Sequence, residues 1–568
     1  MPAQPAVVLD GLCFDWPDGA TALSGLTGAF SRGRTGLIGA NGAGKSTLLR
    51  LVAGQLRPSA GSLLVAGTVD YLPQTLTLDV DATVAELLGI REVMDAVRAI
   101  EAGDADPARF DVVGDGWDIE PRAVAALAET GLPTGLDRPV ATLSGGETVL
   151  AALVGIRLRG AGVALLDEPT NNLDAASRAR LYELIRGWRG TLIAVSHDRE
   201  LLELMDATAE LRDGSLTVFG GPYSEYRDAL EREQEAARQA LRTAEQTLRV
   251  ERRQRIDAEQ KIAHAERQGR KDKANRRYVP AAINDRRNSA EKSAGARRGM
   301  LDARIEAAAT AVERAEARVR EDARIRVDLP DPQVPAGRRL AELTGSDGRT
   351  MVIQGPERVA LTGPNGVGKT TLIEQLVRSS GSAQPVPRPA AELPGDAAAG
   401  LRATAVARTE RLGYLPQRLD GLDDEGSVLA NVAAAAPNQP LGLLRNRLAR
   451  FLLRGAAVER PVATLSGGER FRVALARILL ADPPAQLLVL DEPTNNLDLA
   501  SVEQLVAALD AWRGGLLVVS HDHAFLRRLR MDAELVLSPD GRLTNQELAQ
   551  ETVRSDTPIG IGWGGRED

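Results

Sequence analysis

Short runs of consecutive apolar residues recur along this chain, and each ends on Gly, Asp or a Ser-His pair. TGLIG (35–39), VALLD (163–167) and TLIAVSH (191–197) lie in the first part; RVALTG (358–363), LLVLD (487–491) and GLLVVSH (515–521) lie in the last. A run apolar at every position suits a strand buried on both faces of a parallel sheet. TLLRLVAG (47–54) and TLIEQLVR (371–378) show a helical spacing instead, and each follows the first run of its set. The middle of the chain changes character. Residues 231–266 are rich in Ala, Glu, Arg and Gln and hold no Gly or Pro, and 296–326 are similar in composition. Both read as long exposed helices, with Pro280 and its Asn-rich flanks marking the turn region. A helix of about 40 residues is on the order of 60 Å long. The pattern predicts a helical hairpin between two α/β domains, or a coiled coil that only holds them together.

The two sets are copies of one unit. GANGAGKST (39–47) recurs as GPNGVGKTT (363–371), YLPQ (71–74) as YLPQ (414–417), and LSGGE (143–147) as LSGGE (465–469). DEPTNNLD (167–174) recurs at 491–498 and SHD (196–198) at 520–522, both displaced by 324 positions, as are Lys45 and Lys369. Self-similarity of this kind marks tandem domains. The fold class expected is α/β, with two tandem P-loop ATPase domains joined by a long α-helical hairpin linker. Domains are expected at 1–222 and 329–545, the hairpin at 223–328 with a basic tip at about 269–290, and a disordered tail at 546–568. Residues 381–408 are rich in Ala, Pro and Gly and predict an exposed, mobile insertion.

Bulk properties narrow the class. A chain of 568 residues suggests two or three domains. No apolar run reaches the roughly 18 residues that span a bilayer, and the N-terminus lacks a basic segment followed by an apolar core. The expectation is a cytoplasmic protein. The single Cys13 excludes an internal disulfide and reads as a buried small hydrophobe. Net charge is −8, which argues against a general polyanion binder. Yet Lys261 to Arg298 carry 12 Lys and Arg against 4 Asp and Glu, a local +8 that leaves −16 for the rest. Of six lysines, Lys45 and Lys369 sit in the two Gly-rich loops, and Lys261, Lys271, Lys273 and Lys292 lie in the linker.

The repeated motifs carry phosphate chemistry. GANGAGKS and GPNGVGKT fit G-x-x-x-x-G-K-[ST], each after an apolar strand and before a helix. Gly39, Gly42 and Gly44 with Asn41, and Gly363, Gly366 and Gly368 with Asn365, let backbone N–H groups close around phosphate oxygens at a helix N-terminus. Lys45 and Lys369 would reach the β- and γ-phosphates of ATP, with Thr47 and Thr371 beside them. Ser46 and Thr370 would help hold Mg²⁺ with Asp167 and Asp491, directly or through water. Glu168 and Glu492 would polarise the attacking water. His197 and His521 end equivalent strands and would contact the γ-phosphate.

LSGGE stands 23 or 25 positions before the Asp-Glu pair in the two halves. Here the chain resembles the ABC ATPases: P-loop, glutamine loop, signature, Asp-Glu strand, D-loop and switch His, in order, twice. The resemblance implies that Gln74 and Gln417 serve ATP and Mg²⁺. It also implies head-to-tail closure, with Ser466, Gly467 and Gly468 completing the first site and Ser144, Gly145 and Gly146 the second. The finer resemblance is to the ABC-F family, with two ABC domains on one chain, a helical linker and DEPTN-x-LD in both halves. It implies a partner, the 70S ribosome with its rRNA and P-site tRNA, a linker directed at the peptidyl-transferase centre, and a role in translation or in resistance to ribosome-targeting antibiotics. Alternatives are the ATPase subunit of a transporter and a DNA-maintenance ATPase. The chain departs from many members in having Asn172 and Asn496 where they have His, and in showing no arm-like insertion in its first half. Arg270, Lys271, Lys273, Arg276, Arg277, Tyr278, Arg286, Arg287 and Lys292 are the RNA-contact candidates, through phosphates and stacking. Phe14 or Trp16 would stack on adenine in the first site, whereas Leu329 to Lys369 hold no aromatic residue. Unequal ATP sites are therefore expected, the second slower.

Overall fold

The computed structural model describes residues 5–76, 82–171, 173–274, 280–319, 329–381, 403–417, 419, 421–495 and 497–546. The chain divides into two compact units. One combines residues 1–219 with 324–568, and the other is Gly220–Ala323.

The first unit holds two six-stranded sheets of one topology. In the first half the strand order is Val69–Leu72, Val163–Asp167, Thr191–Val195, Arg34–Ile38, Ala207–Arg212, Ser215–Phe219. The first five strands run parallel and the last antiparallel. The second half repeats this with Leu412–Leu415, Leu487–Asp491, Gly515–Val519, Arg358–Thr362, Ala533–Leu537 and Leu543–Gln546. The continuous apolar runs now have a cause. Val163 and Leu165 enter one core, under the helix Lys45–Val52, while Ala164 and Leu166 enter another, against the helices Gly145–Arg159 and Ala175–Arg186. Both faces are covered, so the interior positions of these runs are apolar, with buried polar residues such as Thr191, Thr362, Asp167 and Asp491 at their ends. Leu487 and Val489 against Leu488 and Leu490 divide in the same way.

Each half adds a three-stranded antiparallel sheet, Pro5–Asp15 with Thr21–Ser31 and Ala60–Val65 in the first, and Arg339–Thr344 with Thr350–Gln354 and Thr404–Ala407 in the second. The last of these strands corrects the expected loop over 381–408: residues 403–408 are ordered, because Thr404–Ala407 pair with Arg339–Thr344, and 382–402 lie outside the described residues. Cys13, expected to be buried, is half-buried in the middle strand of its sheet, where Sγ accepts from the Gly25 N–H at 3.1 Å. The stretch before the signature is longer in the first half than in the second. Val84 to Ser144 spans sixty positions, whereas the matching stretch from Val428 to Ser466 spans thirty-eight. The extra length forms the helices Arg91–Glu101 and Pro107–Val113.

The second unit is a pair of helices, Tyr223–Ala274 and Pro280–Glu316. Gln234 meets Arg318 and Arg255 meets Asp302, so the two run antiparallel. Their covered positions include a spacing of three and four, 234, 237, 241, 244, 248, 251, 255, 258 and 262 on the first helix and 301, 305, 308, 312, 315 and 319 on the second, with Ala309 and Thr310 partly covered beside it. That is a coiled-coil seam, narrow because Ala237, Ala244, Ala258, Ala308 and Ala315 supply much of it. Arg276, Arg277 and Tyr278 lie outside the described residues, as do Asn172, Asn496 and the tail 547–568. Arg270, Lys271 and Lys273 lie in the first helix and Arg286, Arg287 and Lys292 in the second, their side chains outside the description.

Candidate active sites

Three neighbouring parallel strands bring each set of site residues to one sheet edge. Ile38 is followed by the Gly-rich loop, Asp167 ends its strand opposite Val195, and His197 comes two positions after that partner. Ligands bind at such carboxyl edges. Glycine is required at the loop's first position. A Cβ on Gly39 would sit 2.4 Å from the Leu211 carbonyl oxygen, and one on Gly363 2.3 Å from that of Leu537. Gly42, Gly44, Gly366 and Gly368 all adopt positive φ. Asn41 and Asn365 sit at the crown of the loops. Lys45 and Lys369 open the following helices and are buried, with burial lowering both pKa values against the pull of the nearby carboxylates. Lys45 Nζ donates to the Gly39 and Ala40 carbonyls at 2.7 and 3.0 Å, and Lys369 Nζ to those of Gly363 and Pro364. Thr47 is buried in its helix, while Thr371 is exposed.

Ser46 Oγ donates to Asp167 Oδ1 at 3.1 Å. The other oxygen of Asp167 accepts from the Tyr71 hydroxyl, also at 3.1 Å. Tyr71 is a site residue that the motif reading missed; its signal was present in the repeated YLPQ, whose Tyr recurs as Tyr414. Burial raises the pKa of both phenols, that of Tyr71 to about 12. Burial likewise raises Asp167, and pushes Asp491 up to about 6, with the Thr370 hydroxyl opposing. Glu168 and Glu492 follow at φ 51° and 45°, in the left-handed region that side chains seldom adopt. Glu168 Oε1 lies 3.2 Å from His197 Nε2, and Glu492 Oε1 3.5 Å from His521 Nε2. Burial pushes Glu168 up to about 8 and Glu492 to about 7, and pushes His197 down to about 3 and His521 to about 4. Near neutral pH both imidazoles are therefore uncharged, Glu168 is largely protonated and Glu492 stands close to its midpoint.

A divalent cation fits this arrangement. Oε1 of Glu168 and of Glu492 is buried without a hydrogen-bond partner, and both Asp491 oxygens lack a well-formed one. Among the described residues no three His, Cys, Asp or Glu form a metal cluster. Mg²⁺ keeps waters and substrate phosphates among its ligands. Ser46, Asp167, Thr370 and Asp491 would hold it. Gln74 and Gln417 are exposed, two positions beyond the strands that end at Leu72 and Leu415.

The signature residues start helices. Ser144 caps Gly145–Arg159 and Ser466 caps Gly467–Leu479, each in a reciprocal box with the Glu three positions on. Gly145 and Gly467 are open, while a Cβ on Gly146 would meet Ser177 Oγ at 2.5 Å and one on Gly468 Ser501 Oγ at 3.4 Å. The signature therefore packs on the D-loop helix of its own half, and the D-loop Asp reaches the other half. Asp498 caps the helix Leu499–Asp510 and accepts from the Asn41 N–H at 3.0 Å. Asp174 likewise takes the Asn365 N–H. Burial works against the charge on both Asp residues, yet these N–H donors and those of Ser501 and Ser177 hold the two carboxyls below their ordinary range. The sequence reading assigned neither Asp174 nor Asp498 a contact, although both stand in the repeated DEPTNNLD.

Of the two aromatic candidates, Phe14 belongs to the core and is corrected on that ground. Trp16 is half-buried, packed against that core and edge-on to Phe14 with ring centres 5.0 Å apart.

The family model described as ABC transporter matches residues 23–171 and 347–495. Among known proteins, the chain is 35% identical to the tylosin resistance ATP-binding protein TlrC of Streptomyces fradiae over 90% of its own length and 93% of that protein. It is 30% identical to the energy-dependent translational throttle protein EttA of Mycobacterium tuberculosis, over 87% of its length and 85% of EttA. A solved structure of an RNase-L inhibitor covers 94% of this chain and 90% of its own, with a TM-score of 0.51 and 19% identity, a likeness of fold. No helix among the described residues is long and apolar enough to cross a membrane. With the motifs matched twice and both relatives aligned across nearly the whole chain, the protein belongs to the ABC-F family and is an ATPase of tandem ABC domains.

Proposed function

We propose that this ATPase binds the ribosome when ATP draws its two halves together and leaves when ATP is hydrolysed, protecting ribosomes from an antibiotic. The observation that carries the reading is kinship along nearly the full chain with a protein named for tylosin resistance. Two features of the molecule support it. The reciprocal N–H···Asp contacts at Asn41 and Asn365 tie each phosphate loop to the D-loop of the other half. In the closed state the signatures at 144–146 and 466–468 complete the opposite sites around ATP and Mg²⁺. Glu168 and Glu492 orient the attacking water, and His197 and His521 meet the γ-phosphate. The +8 stretch within an otherwise acidic chain directs the hairpin towards rRNA near the peptidyl-transferase centre, by phosphate contacts whose strength falls with salt. The setting is the cytoplasm. The second site, without an aromatic partner for adenine, turns over more slowly.

A second reading, control of translation without a drug, has the EttA kinship in its favour. Ribosome co-sedimentation of the Glu168→Gln/Glu492→Gln double variant tests both. Pelleting with 70S ribosomes under ATP, lost under ADP and weakened by salt, is the expected result. No pelleting under ATP overturns ribosome binding altogether. Drug challenge of translation in vitro then separates the two readings.

A further inference from the structure

Among the differences between the surroundings of the two ATP sites is a cation that crosses between the halves. The helix Ala175–Arg186, which begins after Asp174, carries Arg178 in its first turn. Its Nη1 donates to the backbone carbonyl of His521 in the other half, at 3.3 Å. Its Nε lies 3.5 Å from Asp198 Oδ2, and the two side chains are only 16% and 10% exposed. Asp198 directly follows His197. It caps the short helix Arg199–Leu202 and accepts the Tyr182 hydroxyl at 2.7 Å. One guanidinium therefore joins the loop after His197 to the loop that holds His521. The peptide of His521 is pinned on both sides, since its own N–H points to Glu492 Oε2 at 3.4 Å.

The repeat does not copy this device. Displaced by 324, the position of Arg178 holds Val502, so no guanidinium stands at the matching point beside His197. The charge also reaches the chemistry: after burial and the Lys369 ammonium, Arg178 is a further cause holding down the basicity of His521, and it favours the Glu492 carboxylate. We propose that Arg178 is a positioning residue acting in trans, which fixes the His521 loop of the second ATP site and makes hydrolysis there depend on apposition of the halves in a way the first site's does not. The proposal rests on Glu492 and His521 serving the second site.

The physical basis is the fork of the guanidinium. Here it hydrogen-bonds the His521 carbonyl while standing in ionic contact with the Asp198 carboxylate, a combination a lysine ammonium holds only loosely. Leucine would keep the aliphatic stem, leave a buried carbonyl without its donor and leave Asp198 without its cation.

The test is single-turnover hydrolysis in two backgrounds. Glu168→Gln leaves only the second site competent, and Glu492→Gln only the first. In the Glu168→Gln background, Arg178→Leu should lower the rate about tenfold, a normal size for coupling between sites, with half-saturating ATP unchanged within about twofold. Arg178→Lys should recover part of that rate. In the Glu492→Gln background the same replacement should change the rate less than about twofold. Equal losses in both backgrounds, a change confined to ATP affinity, or no loss would each overturn the proposal. If the double Glu→Gln variant still turns over ATP at the wild-type rate, the assignment of Glu492 falls first, and the proposal with it.

Discussion

At the scale of single residues, the two glutamates make a sharp statement about pH. Burial lifts the Glu168 carboxyl from the ordinary range near 4.3 to about 8. Between those values the folded chain holds a proton that the unfolded chain has released. Stability of the nucleotide-free protein therefore falls as pH rises through this window, and the whole penalty stands above it. His197 acts with the opposite sign. It stays neutral when folded down to about 3, so folding loses stability as pH drops below the ordinary His value near 6.5. Glu168→Gln removes the first effect and leaves the second. The Tm of the apo variant should gain on wild type by about 2–4 °C between pH 5.5 and pH 8.5, as read by scanning calorimetry. A constant difference across that range would mean that Glu168 ionises normally. This environment was not legible in DEPT. The motif identified which residues do chemistry, but the proton equilibrium comes from burial behind the strand and from a left-handed backbone at the Glu, both properties of the assembled sheet.

At the scale of elements, the sheet strands were the most legible part and the hairpin seam the least. VALLD and LLVLD could be read as doubly buried strands because alternate residues enter different cores and no position faces water. The linker helices looked uniformly polar by composition. Their seam is instead a spacing of three and four, filled largely by alanine and crossed by Glu251 and Arg255, which hides it from any count of large apolar residues. Arg255 pairs with Asp302 at 2.7 Å across the seam and with Glu259 on its own helix, a polar position of the sort that fixes register. Leu301 is the largest of the fully covered seam residues on the second helix, at 6% exposure. Leu301→Ala should cost the hairpin about 2–3 kcal/mol. Amide exchange should quicken across 223–316 while ATP hydrolysis stays within about twofold. Slower hydrolysis of the same size as the loss of protection would show that hairpin and ATP sites unfold together. The helices of the longer first-half stretch were missed for a different reason: without the matching lengths of both halves side by side, Arg91–Val113 reads as an ordinary continuation of a helical segment.

At the scale of the whole chain, the repeat copies some contacts where the halves meet, such as those of Asp174 and Asp498, and leaves others single. Arg199 and Glu503 pair across the halves, and Glu503 also takes Arg528 of its own half at 2.5 Å. The equivalents of Arg199 and Glu503 at the 324 displacement are His523 and Ala179, so this bridge too exists once. The differences could be read from the sequence; that they face each other could not, because the contacts join residues some three hundred positions apart. Glu503 carries a testable load. Arg199 and Arg528 are 20% and 27% exposed, and without the carboxylate two guanidinium groups would stand side by side in a partly desolvated space. Glu200 pairs with Arg527 at 3.1 Å, but these side chains are 46% and 65% exposed, and an ion pair in water contributes about 0–1 kcal/mol. In the Glu168→Gln/Glu492→Gln background, with one fluorophore on each half, Glu503→Gln should raise the ATP concentration for half-maximal closure about fivefold. Glu200→Gln should change it by less than about twofold. Added salt should narrow the gap in part, because the Glu503 carboxylate is 37% exposed while its two arginines are more covered. Equal shifts from the two replacements would mean that the halves are held by diffuse surface charge and that the Arg199–Glu503–Arg528 bridge is incidental. An effect of Glu503→Gln alone would mean that one unrepeated carboxylate helps to set how much ATP the halves need in order to close.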